Sequence, residues 1–196
     1  MRNTLYQLED RDHAIVLRLE SSDGTNRLTR ACVLGLMSVI HKLDGLSKPL
    51  IIGGNQKFFS AGADLSEIAS LTAAEAYRFA QMGQELMNAV ERFPAPVYAA
   101  IEGYCMGGGL DLALACHHRV ASPRATIGHR GAALGLMTGW GGTQRLPRLI
   151  GKTRALEMFV CAEKLHACQA LAIGLVGAVA EDPVVDCVSR CRIKDN

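Results

Sequence analysis

Apolar positions along the chain alternate between two rhythms, one of period two and one of helical spacing. Residues 5–8 and 14–20 read as short strands joined by the polar run Glu9-Asp10-Arg11-Asp12-His13, a hairpin pattern. Residues 21–27 form a polar loop. After Thr29, apolar side chains recur at Val33, Leu36, Met37, Ile40 and Leu43, which predicts a helix ending near Gly45. Residues 49–53 read as a short buried strand. Thr72-Ala73-Ala74-Glu75 matches a capping box and opens a long helix to about Arg92, stopped by Phe93-Pro94. Strands are expected at 96–101, 118–122, 126–128 and 176–179, with helices at 143–150 and 153–162. Strands interleaved with helices imply an α/β sheet with crossover helices. No repeat, low-complexity tract or linker divides residues 1–196, so a single domain is expected.

The triplet Gly107-Gly108-Gly109, followed by Leu110-Asp111, lies between the strand-like run at 97–101 and a helix-like run at 112–116. A strand that ends in a bare helix N-terminus offers unpaired N–H groups and the positive end of a helix dipole. Glycine also lets a ligand approach the main chain closely. A second tight segment, Phe59-Ser60-Ala61-Gly62-Ala63-Asp64, can supply a matching N–H. Two such donors aimed at one carbonyl oxygen make an oxyanion hole; without a ligand, the glycines form only a tight strand-to-helix turn.

Composition narrows the class. With 196 residues, 49% of them hydrophobic and 20% charged, the chain suits one globular domain with a substantial core. A net charge of +2 on scattered Lys and Arg argues against a nucleic-acid surface. Seven cysteines with no C-x-x-C pair argue against a disulfide framework or a zinc site, so no metal is expected and a reducing cytosol fits. The first dozen residues carry charge and no apolar leader core. No segment reaches the roughly 18 continuous apolar residues needed to span a bilayer. A soluble, cytoplasmic protein without membrane contact is expected.

Three motifs carry a resemblance. Phe58-Phe59-Ser60-Ala61-Gly62-Ala63-Asp64-Leu65, Glu102-Gly103-Tyr104-Cys105-Met106-Gly107-Gly108-Gly109 and Gly139-Trp140-Gly141-Gly142-Thr143-Gln144-Arg145-Leu146-Pro147-Arg148 stand in an order and spacing that resembles the crotonase superfamily, also called the enoyl-CoA hydratase/isomerase family. The resemblance runs from about Val16 to Val179. It implies a spiral of ββα units and a pocket for an acyl-coenzyme A thioester, with coenzyme A as part of the substrate and no separate cofactor. By position it makes the amides of Ala63 and Gly108 the oxyanion donors, with Ala61, Gly62 and Gly107 beside them as substrate-binding residues. Family reactions pass through a thioester enolate, so charge grows on the carbonyl oxygen. Losing one such donor costs about 3–4 kcal/mol of transition-state stabilisation.

The acid/base residues depart from the family pattern. Family hydratases use two glutamates; the first position is Asp111 here and the second is Gly131. Glycine transfers no proton. Asp111 reaches about 1.5 Å less far than a glutamate, and it has a structural reading as a first-turn acid opposing the helix dipole. Dienoyl-CoA isomerases carry aspartate at this position, but their other carboxylates correspond to Gly131 and Gly139. His129 and Arg130 flank the missing glutamate. The first can act as a base near neutral pH, and the second can hold a substrate carboxylate bidentately. Neighbouring strand residues point to opposite faces, so at most one of the two is expected to face the pocket. A glutamate restored at Gly131 is expected to raise activity if the pocket keeps its geometry. His117 and His118 replace the acidic-apolar pair usual in the family and read as packing or surface residues. Asp64 reads as a helix N-cap, Gly141-Gly142 as a turn, and Trp140 and Met137 as pocket lining or core.

Family members continue for several dozen residues past this length, in helices that close the pocket and pack a trimer. The resemblance therefore implies a fold truncated in its C-terminal helical region. Apolar surface left on the helices at 143–172 implies a homo-oligomer, with a trimer favoured. Three functions stand as expectations. The first is a lyase or isomerase of fatty acid metabolism, with Asp111 as acid/base. The second is a decarboxylase or isomerase using His129 or Arg130. The third is a non-catalytic acyl-CoA-binding subunit.

Overall fold

The computed structural model describes residues 5–193. Strands β1 (Tyr6–Arg11), β2 (Ala14–Leu19) and β3 (Arg27–Leu28) precede helix α1 (Arg30–Leu43). Then come β4 (Leu50–Gly53), β5 (Phe58–Ser60), β6 (Gly62–Ala63), α2 (Leu65–Ala69) and α3 (Ala73–Glu91). Next are β7 (Val97–Ile101), β8 (Tyr104–Met106), α4 (Gly108–Ala115), β9 (His118–Ala121) and β10 (Thr126–Gly128). A 3-10 turn at Gly131–Leu134 leads to α5 (Gly142–Ile150) and α6 (Lys152–Val160). Last are β11 (Lys164–His166), α7 (Ala167–Ala172), β12 (Ala178–Val179) and α8 (Pro183–Ile193).

Among the described residues the largest sheet has the order β1-β2-β4-β7-β9-β12, and a second runs β11-β10-β8-β5. The β1–β2 pair is the antiparallel hairpin expected at the start of the chain. From β2 onward the large sheet is parallel, and parallel neighbours require crossovers. Each large-sheet strand β4, β7 and β9 is followed by a strand of the second sheet, β5, β8 or β10, and then by helix. That is the ββα repeat.

Residues of β4 and β7 are buried at every position, which explains their unbroken apolar runs. One face of these strands meets α1 and α3. The other meets α8, through Val184, Cys187, Val188 and Cys191 against Ile51, Tyr98 and Val120. The capping box at Thr72 forms as expected, with Glu75 Oε2 accepting from the Thr72 amide at 2.8 Å. Helix α4 starts at Gly108, earlier than its apolar run indicates, because the chain turns at Gly107 and not at the end of the triplet. His117 has a structural place outside the cavity described below. Its Nδ1 accepts from the Val97 amide at 2.8 Å, which leaves Nε2 to donate to the Glu91 carbonyl at 3.0 Å. It therefore clasps the end of α3 to the start of β7. His118 packs on the Tyr98 ring. No helix among the described residues is long and apolar enough to cross a membrane.

Candidate active site

The chain enters α4 through Gly107, whose φ of 51° and ψ of −119° suit only a residue without Cβ. The Gly107 amide is bonded to the Gly128 carbonyl at 3.0 Å, which ties the turn to β10. Gly108 is the first helical residue, so its N–H has no acceptor within the helix. A Cβ on Gly108 would lie 3.3 Å from the Ala63 nitrogen, and one on Gly62 would lie 3.1 Å from the Gly108 nitrogen. The amides of Ala63 and Gly108 thus share a space that glycine keeps open.

Side chains further back hold the Ala63 segment. Ser60 Oγ donates to the Asn26 carbonyl at 2.7 Å and accepts from the Gly62 amide at 3.1 Å. Buried Asn26 donates through Nδ2 to the Phe58 carbonyl at 2.9 Å, and the Ala61 amide bonds the Thr25 carbonyl at 2.9 Å. Gly109 lets α4 lie directly on Ser60, where a Cβ would come 2.7 Å from the serine Cβ. Asp64 is the N-cap of α2, accepting from the amides of Ser66 and Glu67 at 2.9 and 3.1 Å. The Glu67 amide is the leading cause that holds its carboxyl below the usual range.

A cavity of about 300 Å³ opens over these amides. Ala61, Gly62, Ala63, Gly107, Gly108, Asp111, His129 and Arg130 all line it, so every expected site residue meets at one place. Its walls are apolar: Leu65, Ile68 and Leu71 on one side, Phe79 and Trp140 behind, and Leu136 with exposed Met137 on another. Trp140 is buried, packs on the Phe79 ring and donates Nε1–H to the Phe79 carbonyl at 3.2 Å. It nests against Gly83 of α3, where a Cβ would overlap the indole.

Asp111 lies one helical turn beyond Gly108, with its carboxylate almost wholly buried. Its Oδ1 is 3.1 Å from Nε2 of equally buried His129. The approach lies off the hydrogen-bonding direction, and neither atom has a hydrogen-bond partner among the described residues. The other oxygen, Oδ2, accepts from the Thr138 hydroxyl. Gly142 makes this cluster possible, because a Cβ there would overlap Asp111 Oδ1 and come 2.9 Å from His129 Nε2. Its role therefore goes beyond the turn expected of Gly141-Gly142. The His129 ring rests on Phe159 of α6, with centroids 5.2 Å apart. Arg130 also borders the cavity, against the expectation that at most one of the pair would, because both residues follow the end of β10 and do not alternate as strand residues do. It is exposed and has no hydrogen-bond or ion-pair partner among the described residues. Cys105 of β8 is no competing nucleophile, since burial pushes its thiol well above the usual range.

Gly131 bears on the condition attached to a restored glutamate. A Cβ there would fall 2.6 Å from the Leu136 carbonyl oxygen, so a glutamate cannot enter unless that backbone moves. The pocket would not keep its geometry. Thr138 and Gly142 were not singled out as site residues from the sequence. Thr138 has no local signal, because its partner lies 27 residues earlier.

Residues 10–193 match the enoyl-CoA hydratase/isomerase family. A probable enoyl-CoA hydratase of Bacillus subtilis is 46% identical over 136 residues, 69% of this chain and 53% of that protein. The fatty acid oxidation complex subunit alpha of Shewanella halifaxensis is 45% identical over 139 residues, 69% of this chain and 20% of that protein. The aligned part thus spans about half the length of the first relative and a fifth of the second. An enoyl-CoA hydratase structure from Thermoplasma volcanium superposes with a TM-score of 0.93 at 31% identity, covering 99% of this chain and 79% of that one. Pseudomonas aeruginosa DspI superposes at 0.91 with 34% identity, covering 97% and 75%.

Proposed function

The chain belongs to the enoyl-CoA hydratase/isomerase family, and from that footing we propose that it binds an acyl-CoA thioester and moves a proton with Asp111 and His129. The observation that carries the proposal is the placing of a buried carboxylate on the same helix as the Gly108 amide, inside one apolar cavity. The thioester oxygen sits between the Ala63 and Gly108 amides. As an enolate forms, negative charge moves onto that oxygen, where two N–H groups and the α4 dipole stabilise it. Because α4 is rigid, Asp111 stands at a fixed distance from the carbonyl and its α-carbon.

For hydration, hydroxide from water adds to the β-carbon and a proton adds to the α-carbon. Asp111 and His129, 3.1 Å apart, supply the two proton-transfer groups this requires, with His129 in place of the absent glutamate. Isomerisation needs one group that removes a proton and returns it elsewhere, and the same pair serves. One observation favours a second reading: Arg130 borders the cavity without a partner among the described residues, which suits an acyl group bearing a carboxylate and its decarboxylation.

The test is crotonyl-CoA hydration by the purified chain and by its Asp111→Asn and His129→Gln variants. Each variant is expected to lose about 10²–10⁴-fold in rate while still binding acyl-CoA. Full rates in both would remove the acid/base assignment, and binding without turnover of any acyl-CoA would mark a binding subunit. A cytoplasmic role in fatty acid metabolism fits this reading. Exposed Leu149, Leu156, Val160 and Leu171 support self-association as a trimer, which light scattering at micromolar concentration checks.

A further inference from the structure

Thr138 lies between the 3-10 turn and α5, in the stretch that also carries Leu136 and Met137 of the cavity wall. Its hydroxyl donates to Asp111 Oδ2, while Oδ1 faces His129 Nε2. A carboxylate on a single methylene turns readily about its last bond, and either oxygen can then face a substrate. The hydroxyl removes that freedom by holding one oxygen and leaving the other, without a hydrogen-bond partner among the described residues, for chemistry. We propose that Thr138 is a positioning residue that orients the Asp111 carboxylate for proton transfer. The proposal rests on the reading of Asp111 as the acid/base.

The stretch has other fastenings. The Gly139 carbonyl accepts from Gln84 Nε2 of α3 at 2.7 Å, and the Leu136 amide bonds the Gly131 carbonyl at 2.9 Å. Loss of the hydroxyl therefore leaves the loop in place and strikes the carboxylate. The link also joins two parts of the substrate site. An acyl chain pressing on Leu136 and Met137 presses on the segment that aims Asp111.

The experiment compares Thr138→Val, which keeps the shape, with Thr138→Ser, which keeps the hydroxyl, and runs Asp111→Asn beside them. The readouts are crotonyl-CoA hydration and exchange of the α-proton of butyryl-CoA in deuterium oxide. Thr138→Val is expected to lose about 10- to 100-fold in kcat, the scale of a hydrogen bond to a charged group, with KM nearly unchanged. Thr138→Ser should restore most of the rate. Adding Thr138→Val to Asp111→Asn should cost nothing more, because the hydroxyl then has no carboxylate to orient. A loss expressed in KM, or a serine variant as impaired as the valine one, would assign Thr138 to packing and overturn the proposal. If Asp111→Asn is disabled and Thr138→Val is not, the proposal fails alone. If Asp111→Asn runs at full rate, or the unchanged chain performs neither reaction, the acid/base reading fails and takes the proposal with it.

Discussion

At one end of the cavity the working groups are main-chain amides, at Ala63 and Gly108; at the other they are the side chains of Asp111, His129 and Thr138. The amide end is made by leaving atoms out. Gly62 and Gly108 clear the space, Gly107 takes a turn that only glycine suits, and Ser60 with Asn26 fixes the strand that carries one donor. The side-chain end is made by bringing atoms in, from α4, from the residue after β10 and from the loop before α5. An amide donates whatever side chain its residue carries. A proton-transfer group works only with the right atom at the right place, so substitutions at this end change chemistry while the binding geometry survives.

The largest effect is expected from Gly108→Ala, which attacks the amide end. Its Cβ would come 2.6 Å from Trp140 Cζ3 and 3.3 Å from the Ala63 nitrogen, displacing both sides of the donor pair. Turnover should fall by about 10²–10³-fold, as when an oxyanion donor is lost. Acyl-CoA affinity should fall with it, and steady-state kinetics with calorimetry separates the two effects. Gly142→Ala attacks the other end. Its Cβ drives Asp111 away from His129, so a rate loss of roughly 10- to 100-fold is expected with acyl-CoA binding kept. Equal losses of affinity in both variants would erase the distinction between the ends.

Gly131→Glu sharpens the comparison by asking whether a side chain can simply be put back. No gain in crotonyl-CoA hydration is expected, and overpacking against the Leu136 carbonyl should cost about 1–3 kcal/mol in denaturant unfolding. A faster enzyme would show that the 131–136 turn yields. Asp64→Ala should do least. It removes the N-cap of α2 outside the reacting groups, so about 1 kcal/mol of stability and almost no rate should be lost.

Sequence legibility follows the same division. Helices α1 and α3 are written in their caps, Thr29 and the Thr72–Glu75 box, and β4 and β7 in apolar runs buried on both faces. Strands β5, β6 and β8 are two or three residues long, too short to show a period, and their pairing comes from distant partners. Helix α8 has the spacing of a packed face at Val184, Cys187, Val188 and Cys191, but it follows a run of turn residues and half of that face is cysteine. In the site, the glycines announce the amides because glycine is a local backbone signal. Asp111 and His129 are visible as residue types, but their 3.1 Å approach arises only when β10 and α4 pack together. Thr138 is visible neither as type nor as spacing. The two correspondences that make the second glutamate a glycine and the first an aspartate gain sense only once Gly142 is seen admitting carboxylate and imidazole to one spot.

Trp140 is the chain's single tryptophan, and it lies against Gly108 with its indole in the cavity wall. Its emission therefore comes from one known position, beside the atoms proposed to hold the thioester. Filling the cavity replaces the space beside that ring with ligand atoms and places a new polar group near it. Both alter the colour and intensity of the light, so the protein carries its own unlabelled gauge of occupancy. Stopped-flow mixing can follow that gauge before any bond is made or broken, even in variants that turn nothing over.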